Sequence, residues 1–563
     1  MELLIKNGFV YDPLNGIDGE IMDIAAKDGK IVNRVNERRA EKIDASGMIV
    51  MPGGVDIHCH IAGAEVNIGR LLRPEDHFRD FEYKTAITRS GVGHSVPSTF
   101  TTGYRYSRMG YTTIMNPSMP PLEAKHTHEE LNDTPMLDKA TYPLLGDWWF
   151  VLEHLKNGSI DELARHVAWI MTSTKGYAIK IVNPGGLEAW GYGKNVHSLG
   201  DQIPNFCITP RDIIRGLCKV NKLLNLPHTI HVHTNNLGQP GNYATTLETM
   251  ESVEDLASEN KPAIHITHCQ FSAFKGEDWR TLESGAEEIA NYVNCHSHVT
   301  MDMGQVIFAD TTTMTADGPF QFDLYGLTGN KWVNHDVETE TSAGIVPFRY
   351  RRRSYVHAIQ WSIGLELALL VKDPWKIFLT TDHPNGGPFT SYPRIIAWLM
   401  SKEARKATMK RLNPRARSRS LLPSTSRELT FQDIAIMTRA GQAKTLGLDN
   451  KGHLGVGADA DVAIYDVNPK TTDPSQQYKA VRKAFKHAAY TIKGGKVVVK
   501  QDRIVQQVNG STIWLDLQTS EPAEINEDMK RRFREYWTVE YDNYPVSDHY
   551  IESSQPVTVR TWV

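Results

Sequence analysis

Two rhythms of apolar and polar positions divide the chain. Residues 2–50 alternate in short runs, LLIKNGFVYD, DIAAKDGKIV and KIDASGMIVMPG, whose Asn-Gly and Asp-Gly pairs are hairpin signals. The same alternation returns toward the other end in GADADVAIYDV, YTIKGGKVVVK and DRIVQQV. Strand side chains point to opposite faces in turn, so each run can bury one face and wet the other. Two such ends around a long middle predict one small β-sandwich domain assembled from both termini.

The middle follows another pattern. Short apolar runs recur at IVMPGGVDIHCH (49–60), TTIMNP (112–117), YPLLG (142–146), YAIKIVNPGG (177–186), TIHVHTNN (229–236), AIHITHCQ (263–270), HVTMDMGQ (298–305) and IFLTTDHPNGG (377–387). Helical-looking stretches such as PRDIIRGLCKVNKLLNL and SVEDLASEN separate several of them. Eight strands alternating with helices predict an α/β fold, a parallel (β/α)₈ TIM-like barrel in preference to an open sheet. The boundaries follow: 1–50 for the first part of the sandwich, 51–446 for the barrel, 447–510 for the sandwich's return and 511–563 for a C-terminal extension. Irregular spacing makes 61–108 and 306–355 long loops.

Composition changes this picture little. The 563 residues are 40% apolar and 23% charged with a formal net charge of −4, which gives no reason to expect nucleic acid or an acidic membrane as partner. No run approaches the ~18 apolar residues of a membrane span, and MELLIKNGFVYDP lacks the pattern of a secretion signal. Cys59, Cys207, Cys218, Cys269 and Cys295 are scattered and form no C-x-x-C pair. That pattern argues against a disulfide framework, a chain-borne iron–sulfur cluster or a zinc ribbon. A reducing, cytoplasmic setting is the expectation. Charge is uneven locally: residues 403–428 are strongly basic, and so is the knot around Arg349, Arg351, Arg352 and Arg353. Each is either a solvated surface or a docking point for acidic groups.

Barrel enzymes work where strands end and the following loops begin, and the unusual polar residues fall there. The first strand ends in His58-Cys59-His60, whose two imidazoles point to one side while Cys59 faces away into packing. One H-x-H among 22 histidines is weak evidence. The fifth strand adds His231 and His233, the sixth His268 and the eighth Asp382, and their recurrence at strand ends is far stronger. His231 lies one step deeper than His233, so either can be the ligand and the other a support. His265 and His383 read as supporting or incidental. Lys180 sits in the apolar run YAIKIV, where burial lowers an ammonium's pKa. A neutral amine there can take up CO₂ as a carbamate, N6-carboxylysine, able to bridge two cations; the alternative is an ion pair with a buried carboxylate. The set describes a two-metal hydrolytic centre. His58 and His60 hold one divalent ion, His233 and His268 the other, Lys180 bridges and Asp382 completes the set and moves a proton. Nitrogen and oxygen ligands without thiolates suit zinc.

These motifs resemble the amidohydrolase superfamily, and GHLGVGADADVAIYD (452–466) is similar to that superfamily's returning β-sandwich in hydantoinases and dihydroorotases. Nearly the whole chain resembles the A subunits of formylmethanofuran dehydrogenases, through MPGGVDIHCHIAGAEVNIGR, SVPSTFTTGYRYSRMGYTT, RHVAWIMTSTKGYAIKIVNPGG, TTTMTADGPF and HLGVGADADVAIYDVNP. Cys59 stands where that family has serine, outside the ligand set. The resemblance implies a division of labour. A tungsten- or molybdenum-pterin formate dehydrogenase-like partner, fed by iron–sulfur polyferredoxin subunits, makes formate from CO₂. This chain, carrying neither pterin nor iron–sulfur cluster, condenses formate with the amine of methanofuran to N-formylmethanofuran, or hydrolyses it in reverse. Methanofuran's carboxylate tail makes Arg349, Arg351, Arg352 and Arg353 candidate contacts. The alternatives are a hydantoinase- or dihydropyrimidinase-like cyclic amide hydrolase and the equivalent component of a formyltransferase/hydrolase complex.

Overall fold

A computed structural model describes residues 2–258, 261–336, 342–520, 522–536 and 539–561. At its centre are eight strands: β1 (Gly54–Asp56), β2 (Tyr111–Met119), β3 (Asp138–Pro143), β4 (Lys180–Val182), β5 (Ile230–His233), β6 (Ile264–Ile266), β7 (Val299–Asp302) and β8 (Ile377–Phe378). Each falls in or against one of the apolar runs. Strands β1 to β3 lie in one sheet and β4 to β8 in another, every neighbouring pair parallel. Single parallel bridges, Leu144 to Lys180 and Cys59 to His383, join the two sheets at both seams. Chain order is therefore spatial order in a TIM-barrel-like domain. The strands are nearly all apolar because helices and barrel interior bury both faces; Ile114, Ile181, Val232, Ile266 and Met301 are inaccessible to solvent.

The strands of the two termini share one nine-stranded sheet. Its seam is the antiparallel pairing of Ile49–Pro52 with Val462–Tyr465. Leu3, Ile5, Val10, Ile24, Val50, Val462, Ile464 and Ile492 form its own core. Asp28-Gly29 turns a hairpin between Ile17–Lys27 and Lys30–Val32 as the sequence predicts. Asn7-Gly8 does not turn. It makes an irregularity inside the long strand Glu2–Asp12, and a Cβ on Gly8 would meet Val50 Cγ2 at 2.3 Å, so close approach is what requires glycine there.

Helix Pro210–Leu223 forms as expected, with Thr209 and Asp212 capping it reciprocally and proline in the first turn. SVEDLASEN does not form a helix: the helix is the preceding Tyr243–Glu251, and Glu254–Leu256 makes a short 3₁₀ turn, while residues 259–260 lie outside the described residues. The long loops carry structure. Segment 61–108 holds helices Ala64–Leu72 and Thr99–Arg108, and 306–355 holds helix Gly318–Thr328 and a three-stranded sheet. The C-terminal extension adds strand Thr512–Gln518 beside β3, and Phe533 of helix Pro522–Tyr536 packs on Phe150 with ring centroids 5.4 Å apart. In the basic stretch 403–428, Arg405 is buried and donates to the carbonyls of Trp398 and Arg427. Among the described residues no helix is long and apolar enough to cross a membrane.

Candidate active site

His58, His60, Lys180, His233, His268 and Asp382 line a single cavity of about 290 Å³ at the carboxyl ends of the strands. The β1–β8 seam assembles the first group: the His60 amide donates to the His383 carbonyl at 2.6 Å. This sets His58 Nε2 2.9 Å and His60 Nε2 3.3 Å from Asp382 Oδ1. From β6 the His268 ring reaches within 5.2 Å of the His58 ring, and from β5 the His233 ring lies 4.8 Å from that of His268. His268 and Asp382 both take left-handed backbone angles, φ 37° and 48°. A non-glycine residue held this way costs about 1–3 kcal/mol, a strain that concentrates at functional sites.

His231 and His233 separate clearly. His233 faces the cavity with Nε2 3.2 Å from Asp317 Oδ2, which fixes one ring nitrogen and leaves the other available. His231 pairs in register with Lys180 below the cavity, its ring 4.8 Å from both Tyr142 and His265. His265 supports from beneath, with Nε2 3.2 Å from Asp302 Oδ2. His383 accepts the Phe389 amide at 3.3 Å and packs on that ring. Cys59 is buried against the Met115 carbonyl.

Lys180 donates to Thr267 Oγ1 at 2.9 Å, and no carboxylate among the described residues pairs with it. Burial pushes its pKa down to about 8, although Asp302 and Asp382 pull the other way. Asp382 is the opposite case. Burial favours its neutral form, but His268 and His58 outweigh that and hold the carboxyl below its usual range. Asn385 Nδ2 donates to its other oxygen at 3.0 Å.

Several site residues escaped sequence reasoning. Asp302 sits between His58 and His265 and accepts from Thr380 Oγ1 at 2.5 Å. It ends β7, so the strand-end rule that found Asp382 could have found it. Asp317 comes from the 306–355 segment and carried no local signal. Glu65, pushed up to about 7 by burial and by Glu123, accepts from Ser118 at 3.1 Å and lies 3.8 Å from His60 Nδ1. The rest of the wall is mostly apolar, with Leu237, Phe271, Trp279, Phe320, Leu324 and Phe348, and Gln239, Asp323 and Gln360 among its polar members.

The donor set fits metal ions. His268 Nδ1 is buried without a hydrogen bond among the described residues and His58 Nδ1 comes only within 3.6 Å of Asp302 Oδ2, and a buried nitrogen without a partner costs about 1–3 kcal/mol unless a ligand satisfies it. His58, His268 and Asp382 each offer an atom within 4.8 Å of the others. The four arginines do not converge there. All are exposed; Arg349 and Arg351 line a neighbouring cavity of about 440 Å³ that shares Phe348 and His357 with the first. Arg352 lies over the Phe308 ring at 5.5 Å, and Arg353 lines neither cavity.

A histidine-rich, carboxylate-completed cavity at the mouth of a TIM-barrel-like domain is the architecture of metal-dependent amide hydrolysis, and residues 41–499 match the Amidohydrolase family. The chain belongs to that family. Within it, the chain is 54% identical to Protein FwdA of Methanocaldococcus jannaschii, over 99% of each chain, which bears out the resemblance to the A subunits of formylmethanofuran dehydrogenases. It is 37% identical to the A subunit of the formyltransferase/hydrolase complex Fhc of Methylorubrum extorquens, over 94% of this chain and 93% of that one. The crystal structure of the Methylorubrum extorquens FhcABCD complex with methylofuran matches over 100% of both chains, with a TM-score of 0.90 and 35% identity.

Proposed function

We propose that this chain forms and hydrolyses the formamide bond of N-formylmethanofuran, as the amidohydrolase component of a formylmethanofuran dehydrogenase. The observation that carries this is the convergence of His58, His60, Lys180, His233, His268 and Asp382 on one cavity, in a chain that follows FwdA from end to end. His58 and His60 would hold one divalent ion and His233 and His268 a second. Lys180, as N6-carboxylysine, would bridge them, with Asp382 completing the set and zinc the matching metal. Such ions supply Lewis acidity and lower the pKa of water.

The chain's own residues then divide the work. Asp382, held ionised, accepts a proton from the attacking water and returns it to the departing amine. In the synthetic direction it takes the proton of the attacking amine instead. Asp317 and Asp302 orient His233 and His265 from behind. The lowered pKa of Lys180 supports carbamate formation, because the neutral amine is the form that captures CO₂. The mostly apolar wall fits an aromatic amine substrate and keeps bulk water from the formyl group. Arg349 and Arg351, in the adjoining cavity, suit the carboxylate tail.

The domain reading stands with this. The terminal sheet is best read as a sandwich folded around its own core, and 51–446 as a closed barrel sealed by the two bridges. Formate would come from a tungsten- or molybdenum-pterin partner fed by iron–sulfur subunits, in a cytoplasmic complex. A formyltransferase/hydrolase complex is the second reading, favoured by the TM-score of 0.90. Zinc-loaded chain should release formate from N-formylmethanofuran. Ring opening of hydantoins without formamide turnover would overturn the proposal. Co-purification with pterin and iron–sulfur subunits separates the two complexes.

A further inference from the structure

Away from the barrel mouth, a second polar cavity of about 440 Å³ opens where three parts of the chain meet. Its walls come from helix Thr99–Arg108, from helix Tyr392–Met400 after β8, and from helix Tyr478–Lys486, an element of the terminal domain. None of the six residues of the candidate active site lines it.

Its charges are unequally matched. Glu82 is already paired, with Arg105 Nε at 3.2 Å and Arg108 Nη1 at 2.7 Å. Asp502 lies 2.8 Å from His487 Nδ1, and Asp80 is held by His94. Every carboxylate in the cavity therefore has a basic partner, arginines for Glu82 and a histidine each for Asp80 and Asp502. Arg394, Arg482 and Lys486 have none, for no hydrogen bond or ion pair reaches their head groups among the described residues. Arg394 is half-buried, and its charged neighbours are themselves cations, Arg482 and Arg352; partial burial and their repulsion lower its pKa to about 10. Three cations gathered in one cleft repel one another, and an anion seated among them relieves that repulsion.

We propose that this cleft binds a small phosphate-bearing molecule. Two guanidiniums and one ammonium approach from two helices, and the hydroxyl-bearing Thr390 and Ser391 from the 3₁₀ turn Phe389–Ser391, offering donors to several oxygens of a tetrahedral oxyanion. The volume lies within the ~300–1,000 Å³ of small-molecule sites, so the ligand is larger than the bare ion. Because the cleft joins the barrel to the terminal domain, occupancy clamps the two together.

The test uses the full-length protein, with inorganic phosphate and pyrophosphate as probes. Binding is followed by calorimetry and by the thermal midpoint, at ionic strength held constant with chloride. Saturable binding is expected, tighter for pyrophosphate, with a rise in midpoint. Exposed Arg482→Ser should weaken it at least tenfold without changing the midpoint of the ligand-free protein. Arg394→Met should abolish it. Should Arg394→Met fail to fold, Arg482→Ser together with Lys486→Ser replaces it. An equal response to chloride, or unchanged affinity in the Arg482 variant, overturns the proposal. So does binding confined to an acidic peptide such as hexaglutamate.

Discussion

The two ends of the barrel both bury clusters of ionisable side chains, and they treat them in opposite ways. At the amino end, where β3 begins, Asp138 meets Lys451 and Lys493 of the terminal domain, with Lys493 Nζ 2.6 Å from Asp138 and 2.9 Å from Asp461. Lys451 lies 2.8 Å from Asp461 and 2.7 Å from Asp459, which also takes Lys30 at 2.7 Å. Backbone amides of Ser511 and Gly494 fill remaining carboxylate positions at 2.8 Å. Three aspartates meet three lysines. At the carboxyl end the histidines gather around Asp382 and Asp302 with buried nitrogens left over. Asp138, Asp459 and Asp461 resemble a metal site by position, yet ammonium groups already occupy it. A closed network locks domains together; an open one is made for a ligand.

That contrast can be broken at either end. The largest effect should come from Asp382→Asn, which keeps the shape and removes the proton acceptor. Formamide turnover should fall about 10²–10⁴-fold in both directions, with metal content by mass spectrometry largely unchanged; retained turnover would contradict the assignment. At the other end, Lys451→Met leaves the aspartates short of a counter-ion and should cost about 3–5 kcal/mol by denaturant unfolding. Activity per folded molecule should hold, and a drop in activity without a drop in stability would dissolve the division between the two ends.

Smaller changes sharpen the comparison. Asp317→Asn should lower metal affinity or activity about 10–100-fold by freeing the His233 ring, with unfolding little altered. Wild-type affinity would leave Asp317 as packing. The pH dependence should be the gentlest probe. Lys451 and Lys493 hold Asp138 and Asp461 below their ordinary range despite burial. Their contribution is present above the unfolded value of about 3.9 and is lost as pH falls through the folded values. Lys451 is raised by its aspartates, so its contribution is present below the unfolded value of about 10.4 and is lost as pH rises through its folded value. The contribution of this network should be flat between these limits, and Asp138→Asn should flatten the acid limb.

The sequence by itself determined the eight-strand order, the union of both termini in one sheet and the strand ends that carry His58, His60, Lys180, His233, His268 and Asp382. Local rules suffice there: alternation fixes which side chains share a face, and barrel chemistry collects at strand ends. Tertiary structure set His233 in the cavity wall and His231 outside it, because depth in the barrel depends on register with β4 and on Asp317 arriving from a distant segment. It alone supplied Asp317, the apolar wall and the six-charge junction, whose members are up to hundreds of residues apart. It also scattered the four arginines that adjacency in sequence had grouped. Neighbours along the chain share a loop, but only packing decides which way each side chain faces.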